Sequence, residues 1–189
     1  LIVSEIQRLS KITRDLNTFG KPSPPEILPH LPEDILSGLK MLIEGEAKAK
    51  GVHVNISTDS NPGLIHVDAQ QIQQVLLNLV VNSLQSMPEG GTLNLEIKRN
   101  KQLSDESQIV FSVADTGVGI PSEHLDLIFE PFFTTRKQGS GLGLALAYTL
   151  VTQNHGNIRV ESKPNQGTTF FIRFPLYLEN QEQSIALSA

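Results

Sequence analysis

Gln70 to Met87, QQIQQVLLNLVVNSLQSM, is the stretch that most restricts what this chain can become. Ile72, Val75, Leu76, Leu79, Val80 and Leu84 recur at three- and four-residue steps, so the stretch predicts one helix with a single apolar face. Two asparagines, Asn78 and Asn82, interrupt its most apolar part. Four residues apart, they stack on one side of the helix, one turn from each other. Asparagine is a poor helix former, and a buried amide without a partner costs about 1–3 kcal/mol. The pair therefore points to something polar beside the helix, and amide oxygens suit a hard cation such as magnesium. Two capped or solvent-facing amides are the alternative.

The rest of the composition narrows the class. The chain of 189 residues carries one good core plus an extra element, or two small domains. A net charge of −5 with no basic cluster argues against a nucleic-acid partner. The absence of cysteine excludes a disulfide framework, a thiolate metal site and a cysteine nucleophile. No run of about 18 apolar residues is present, so no membrane segment is expected, and no signal peptide is visible. The pattern is already under way at Leu1, as expected of a piece of a longer protein.

Ile2, Ile6, Leu9, Thr13 and Leu16 step by four and three, which predicts a helix with a heptad-like seam. Two readings stand for it: the stub of a dimerising hairpin, or an ordinary helix packed on its own domain. Gly20 to Pro32, rich in proline, is expected to be a linker. A second helix is expected over Glu33 to Lys50, closed by Gly51. Val52 to Ile56 and Leu64 to Val67 read as strands, and Asp68 as the N-cap of the central helix. Thr92 to Lys98 and Gln108 to Ala114 alternate as half-buried strands around a polar hairpin loop, Asn100 to Ser107. A short helix is expected over Ser122 to Ile128 and a longer one over Leu144 to Gln153. Two closing strands, Asn157 to Glu161 and Thr168 to Phe174, follow. Strands in hairpins with helices between the groups predict an α+β fold, a mixed sheet with helices on one face.

Two glycine clusters carry the candidate chemistry. Asp115-Thr116-Gly117-Val118-Gly119 ends an apolar strand, where glycines let the backbone turn sharply or approach a flat ligand. Asp115 is placed there to accept from an exocyclic amine, or merely to cap the turn. Gly139-Ser140-Gly141-Leu142-Gly143 precedes a helix, and N–H groups at a helix start favour phosphate oxygens. Arg136 and Lys137 stand just upstream, within reach of a terminal phosphate; a mobile surface loop is the other reading. Neither cluster is a P-loop or a Rossmann fingerprint, and the HRD and DFG signatures are absent.

Taken in order, the amide helix, the aspartate–glycine turn, the aromatic loop Phe129-Glu130-Pro131-Phe132-Phe133, the glycine loop and Gly167-Thr168-Thr169-Phe170 form one pattern. Over about Glu33 to Pro175 the chain resembles the catalytic ATP-binding domain of bacterial two-component sensor histidine kinases, in the GHKL ATPase group. The wording PFFTTR and MPEGG is similar to the nitrogen-regulation-type branch. The resemblance implies a two-layer α/β sandwich, the Bergerat fold, with a mainly antiparallel sheet. It divides the chain into 1–19, the end of a dimerisation hairpin; 20–32, a linker; 33–178, the ATP-binding domain; and 179–189, a disordered tail.

Site roles follow from the same resemblance. Asn82 with Asn78 would hold magnesium. Asp115 would bind the adenine amine, supported through water by Thr168, with Gly117, Gly119 and Ile120 lining the pocket. Phe132 and Phe133 would anchor a lid. Lys137, Gly139, Ser140, Gly141, Leu142 and Gly143 would meet the phosphates, with Asn78 and Lys137 in the catalytic step. Ser83 stands where alanine is usual. The hydrolases of the group place a glutamate where this chain has Asn78, and an amide cannot take a proton from water near neutral pH. The resemblance therefore implies a cytoplasmic kinase that binds Mg-ATP and transfers the γ-phosphoryl to a histidine, for relay to a response-regulator receiver domain. A homodimer through the hairpin goes with it. A non-catalytic nucleotide-binding scaffold, an ATPase or a serine kinase of the same fold are the alternatives. None of His30, His53, His66, His124 or His155 lies in a His-Glu/Asp-x-x-x-Pro context.

Overall fold

The computed structural model describes residues 20, 23–101, 107–136 and 139–177. In chain order these form β1 (Leu28–His30), α1 (Pro32–Ala49), β2 (Val52–Thr58), β3 (Leu64–Val67), α2 (Ala69–Ser86), β4 (Gly91–Lys101) and β5 (Ser107–Asp115). A 3-10 turn (Ser122–His124), α3 (Gly143–Gln153), β6 (Asn157–Lys163) and β7 (Gly167–Tyr177) complete the set.

Local chemistry accounts for the helix ends. Pro32 opens α1 with Glu33 and Asp34 in its first turn, where fixed φ and negative charge both favour a helix start. Asp68 caps α2 by accepting from the Gln71 N–H at 3.0 Å. One stripe of each helix is buried: Ile35, Leu39, Ile43 and Ala47 on α1; Ile72, Val75, Leu76, Leu79 and Val80 on α2.

Seven strands make one sheet in the order β1-β3-β7-β5-β4-β2, with β6 added against β7. Only β2 and β4 run parallel; the other pairs are antiparallel. On β5, Ile109, Phe111 and Val113 are buried while Val110, Ser112 and Ala114 between them are half-buried. That row and its neighbours pack with the helix stripes into a single core, each fully buried side chain contributing about 1.5–3 kcal/mol. The structure is thus the expected mixed, mainly antiparallel sheet with helices.

Three expectations change. Residues 28–30, assigned to the linker, form β1, with Leu28 opposite Val67 on β3. The residues before β1 are also tied down. The Ser23 carbonyl accepts from Gln71 Nε2 at 2.9 Å, and the Glu26 N–H donates to Asp68 Oδ2 at 2.9 Å. Prolines hid this strand, since an edge strand tolerates proline that a central strand does not. The helix expected over Ser122 to Ile128 is a 3-10 turn of three residues. A segment this short does not recover the cost of nucleating an α-helix. Further turns bring Ile128 into the core instead. The hairpin loop is shorter than expected, since β4 continues to Lys101. The heptad-like helix of residues 1–19 and the tail of 179–189 lie outside the described residues. No helix among the described residues is long and apolar enough to cross a membrane.

Candidate nucleotide site

Asp115 ends the inward row of β5 and is 7% exposed. In register it faces Leu93 on β4 and Thr168 on β7, and Thr168 faces Ser162 on β6. Directly opposed residues share a sheet face. The helix-facing side therefore turns from apolar to polar at its last row. A buried carboxylate is costly unless hydrogen-bonded, and Asp115 Oδ1 accepts from the Ser86 hydroxyl at 3.1 Å and the Gly117 N–H at 2.9 Å. Both bonds converge on one oxygen. Among the described residues, Oδ2 is the one open to a donor from outside.

The turn after Asp115 is bolted at both ends. The Val118 N–H donates to the Ser86 carbonyl at 3.1 Å, and the Asn165 N–H to the Val118 carbonyl at 2.8 Å. Gly119 has φ of 70°, and a Cβ there would meet the Lys163 carbonyl oxygen at 2.1 Å. Only glycine fits such a position. Ile120, half-buried beside it, donates its N–H to Ser162 Oγ at 2.8 Å.

Asn78, Asn82 and Ser86 recur at four-residue steps on α2, so they form one polar stripe about 12 Å long. Each touches a different segment. Asn78 Nδ2 donates to the Gly143 carbonyl at 3.2 Å, joining the helix to the glycine loop. Asn82 meets the segment before α3 through Arg136, and Ser86 meets Asp115. α2 contains no aspartate or glutamate, so this stripe offers no carboxylate.

Arg136, expected to reach a terminal phosphate, lies against the polar stripe of α2. Its Nη1 donates to Asn82 Oδ1 at 3.0 Å and to Gln85 Oε1, and its Nη2 to the Asn82 carbonyl at 3.1 Å. Burial lowers its pKa and the charge of Asp115 opposes that shift. A guanidinium stays protonated throughout. The Asn82 carboxamide oxygen is thus already held toward a cation. Among the described residues no cluster of three histidine, aspartate or glutamate side chains could hold a metal. An ion here would rest on amide oxygens, water and the oxygens of its own ligand, a set that suits magnesium.

The loop before α3 shows a cradle of its own. Leu142 supplies no side-chain cap to α3, and the N–H groups of a helix's first turn lack intrahelical acceptors and favour anionic oxygens. A Cβ added at Gly143 would meet nothing within 4 Å, leaving room for a ligand against the backbone. Gly141, with φ of 69°, accepts from the Phe132 N–H through its carbonyl at 3.0 Å. That bond joins the two ends of the 132–141 segment.

Phe132 and Leu142, both expected at the site, differ in what they expose. Phe132 is 63% exposed, and only its backbone joins the loop; the half-buried Phe133, stacked edge-on to His124 at 5.4 Å, does the anchoring with Phe129. The Leu142 side chain is buried at 1% exposure. Large apolar side chains in a glycine loop find the core before they find a polar ligand. Lys137 lies outside the described residues. Hydrogen bonds and sheet register link Asn78 to Gly143, Asp115 to Gly117 and Thr168, and Ile120 through Ser162 to Thr168, and Asn82 shares the α2 stripe with Asn78. Ser86 and Ser162 were not foreseen. Ser86 was legible as the next step of the 78–82 spacing, whereas nothing in the local sequence marks Ser162.

Ser83 points into the core with 1% exposure, and its hydroxyl has no hydrogen-bond partner among the described residues. Ser83→Ala removes an unpaired buried group and improves helix propensity. It is expected to stabilise the fold by about 1 kcal/mol, raising the melting temperature by roughly 2–4 °C. A lower melting temperature would show that the hydroxyl has a partner.

The sequence matches the model of the "Histidine kinase-, DNA gyrase B-, and HSP90-like ATPase" family over residues 67–178. It is 34% identical to sporulation kinase A of Bacillus subtilis (strain 168) over 176 residues, 93% of this chain and 28% of that protein. The chain thus spans between a quarter and a third of that relative's length. The fold is similar to full-length ShkA in complex with AMPPNP, with a TM-score of 0.77 at 27% identity, covering 88% of this chain and 35% of that one. It is also similar to the histidine kinase ThkA in complex with the response regulator protein TrrA, with a TM-score of 0.76 at 25% identity over 93% of this chain and 49% of that one.

Proposed function

The chain belongs to the histidine kinase-, DNA gyrase B- and HSP90-like ATPase family, and from that premise we propose that it is the Mg-ATP-binding catalytic domain of a sensor histidine kinase. In this reading the nucleotide lies along the α2 stripe. Its base meets Asp115 and Thr168 at one end. Its phosphates meet the Gly139–Gly143 loop and the start of α3 at the other.

Asn82 and Asn78 would hold the magnesium ion, which when bound supplies charge neutralisation between the phosphates. The chain's own residues do the rest. Asp115 accepts from the base amine and fixes its position. The α3 N–H groups and Lys137 bind the phosphates and orient the terminal one. Arg136 now occupies Asn82 Oδ1 and would have to give up that oxygen for Asn82 to hold the ion, because two cations do not share it at contact distance. A guanidinium so released would be free to pair with phosphate oxygens. Phe133 and Phe129 hold the lid's base while this happens.

The observation that carries transfer over hydrolysis is the acid-free α2. No carboxylate on the phosphate side of that helix can take a proton from water. The phosphoryl group therefore waits for an outside nucleophile, which we assign to a histidine on a dimerisation helix of a homodimer, with a response-regulator receiver as the next acceptor. Positioning and electrostatics dominate such a step. The test is to mix the chain with a separate histidine-bearing hairpin and γ-labelled ATP. Acid-labile label on histidine is expected. Label on serine, free phosphate alone, or no transfer despite nucleotide binding would overturn the assignment.

A further inference from the structure

We propose that Ser162 is a specificity-determining positioning residue, which sets the direction of the Thr168 hydroxyl and thereby makes the base end of the cleft reject a guanine carbonyl. The proposal rests on the nucleotide-binding reading above and assigns a role to a residue outside its motifs.

Ser162 Oγ has three neighbours. The Ile120 N–H donates to it at 2.8 Å, the Gly167 carbonyl lies at 2.9 Å and Thr168 Oγ1 at 2.9 Å. A hydroxyl has one proton and two lone pairs. Ile120 N–H is a donor only and takes one lone pair. The Gly167 carbonyl is an acceptor only and takes the proton. What remains on Ser162 toward Thr168 is a lone pair, so Thr168 is the donor of that bond. The reverse polarity gives up the bond to Gly167, whose residue is buried. With its own proton directed at Ser162, Thr168 Oγ1 turns lone pairs toward the cleft.

Thr168 sits directly opposite Asp115, on the same face and at 5% exposure. The two together form a wall of acceptors. Adenine brings an amine donor to such a wall, and guanine brings a carbonyl acceptor at the equivalent place. The carbonyl would leave buried polar groups unpaired and face like partial charge, which is how a polar site excludes a near-isostere.

Calorimetric titration of ATP and GTP against the parent, Ser162→Ala, Ser162→Thr, Thr168→Val and the Ser162→Ala/Thr168→Val double variant tests this. In Ser162→Ala the Thr168 hydroxyl is free to rotate, and the ATP-over-GTP preference is expected to fall about tenfold, the worth of one buried hydrogen bond. Ser162→Thr should restore it. The double variant should match Thr168→Val alone, since Ser162 acts through Thr168. Equal weakening of both nucleotides in Ser162→Ala, or a further loss in the double variant, would overturn the proposal. Ser162→Cys, whose thiol is a weak hydrogen-bonding group, carries the same expectation should the alanine variant not fold. A parent that binds ATP and GTP equally would instead refute Asp115 as reader of the base.

Discussion

Asp115→Asn is expected to weaken ATP binding by roughly 10- to 150-fold, the worth of a hydrogen bond to a charged acceptor, while the domain remains folded. The geometry separates the two effects. Asp115 Oδ1 accepts both internal bonds, from Ser86 and from Gly117. An asparagine can keep its oxygen there and so preserve the turn. Its amide then places N–H donors where Oδ2 stood, and a base amine would meet a donor instead of an acceptor. The isosteric change therefore strikes recognition and spares packing. Calorimetry with ATP and a melting curve together decide it. An affinity within threefold of the parent would remove Asp115 from the base site; a collapse of the melting transition would mean that its charge is structural.

Asn82→Ala should have the other large effect, on the phosphate end. The parent should bind ATP more tightly in magnesium than in chelator, and the variant should lose that difference. Transfer to a histidine hairpin should fall by at least about 100-fold, the order expected when a stabiliser of transition-state charge is removed. The variant also deprives Arg136 of Asn82 Oδ1 but leaves it the Asn82 carbonyl and Gln85. The lid arginine therefore keeps part of its seat, and a general loosening of the lid is not the expected cause of the loss. Unchanged magnesium dependence would place the ion elsewhere. Loss of magnesium-free binding to the same degree would show that Asn82 holds the lid and not the ion.

Much of this was readable before any coordinates. Helix α2 was visible as a 3.6-residue rhythm with Asp68 at its start, and its bounds differ from expectation by one residue at each end. Asp115 was placed at a strand's end by simple alternation. Edge strand β1 was not readable, because its prolines argue against a strand and its partner β3 lies over 30 residues away. Phe132 and Leu142 fit their motifs by position, but that the first is exposed and the second buried was not readable from the motif.

What the sequence determined by itself was local: the helix and strand periods, the caps, the glycines of the two turns, and the asparagine pair on one helical face. These depend on a few neighbouring residues and on backbone sterics that every chain obeys. What only the tertiary structure decided was which polar groups meet: Arg136 with Asn82 across 54 positions, Ser86 with Asp115 across 29, and Ser162 with Thr168 behind the same carboxylate. Such pairings are set by strand register and by how a loop closes over a helix. Those are outcomes of burying the whole core at once, and no window of sequence contains them.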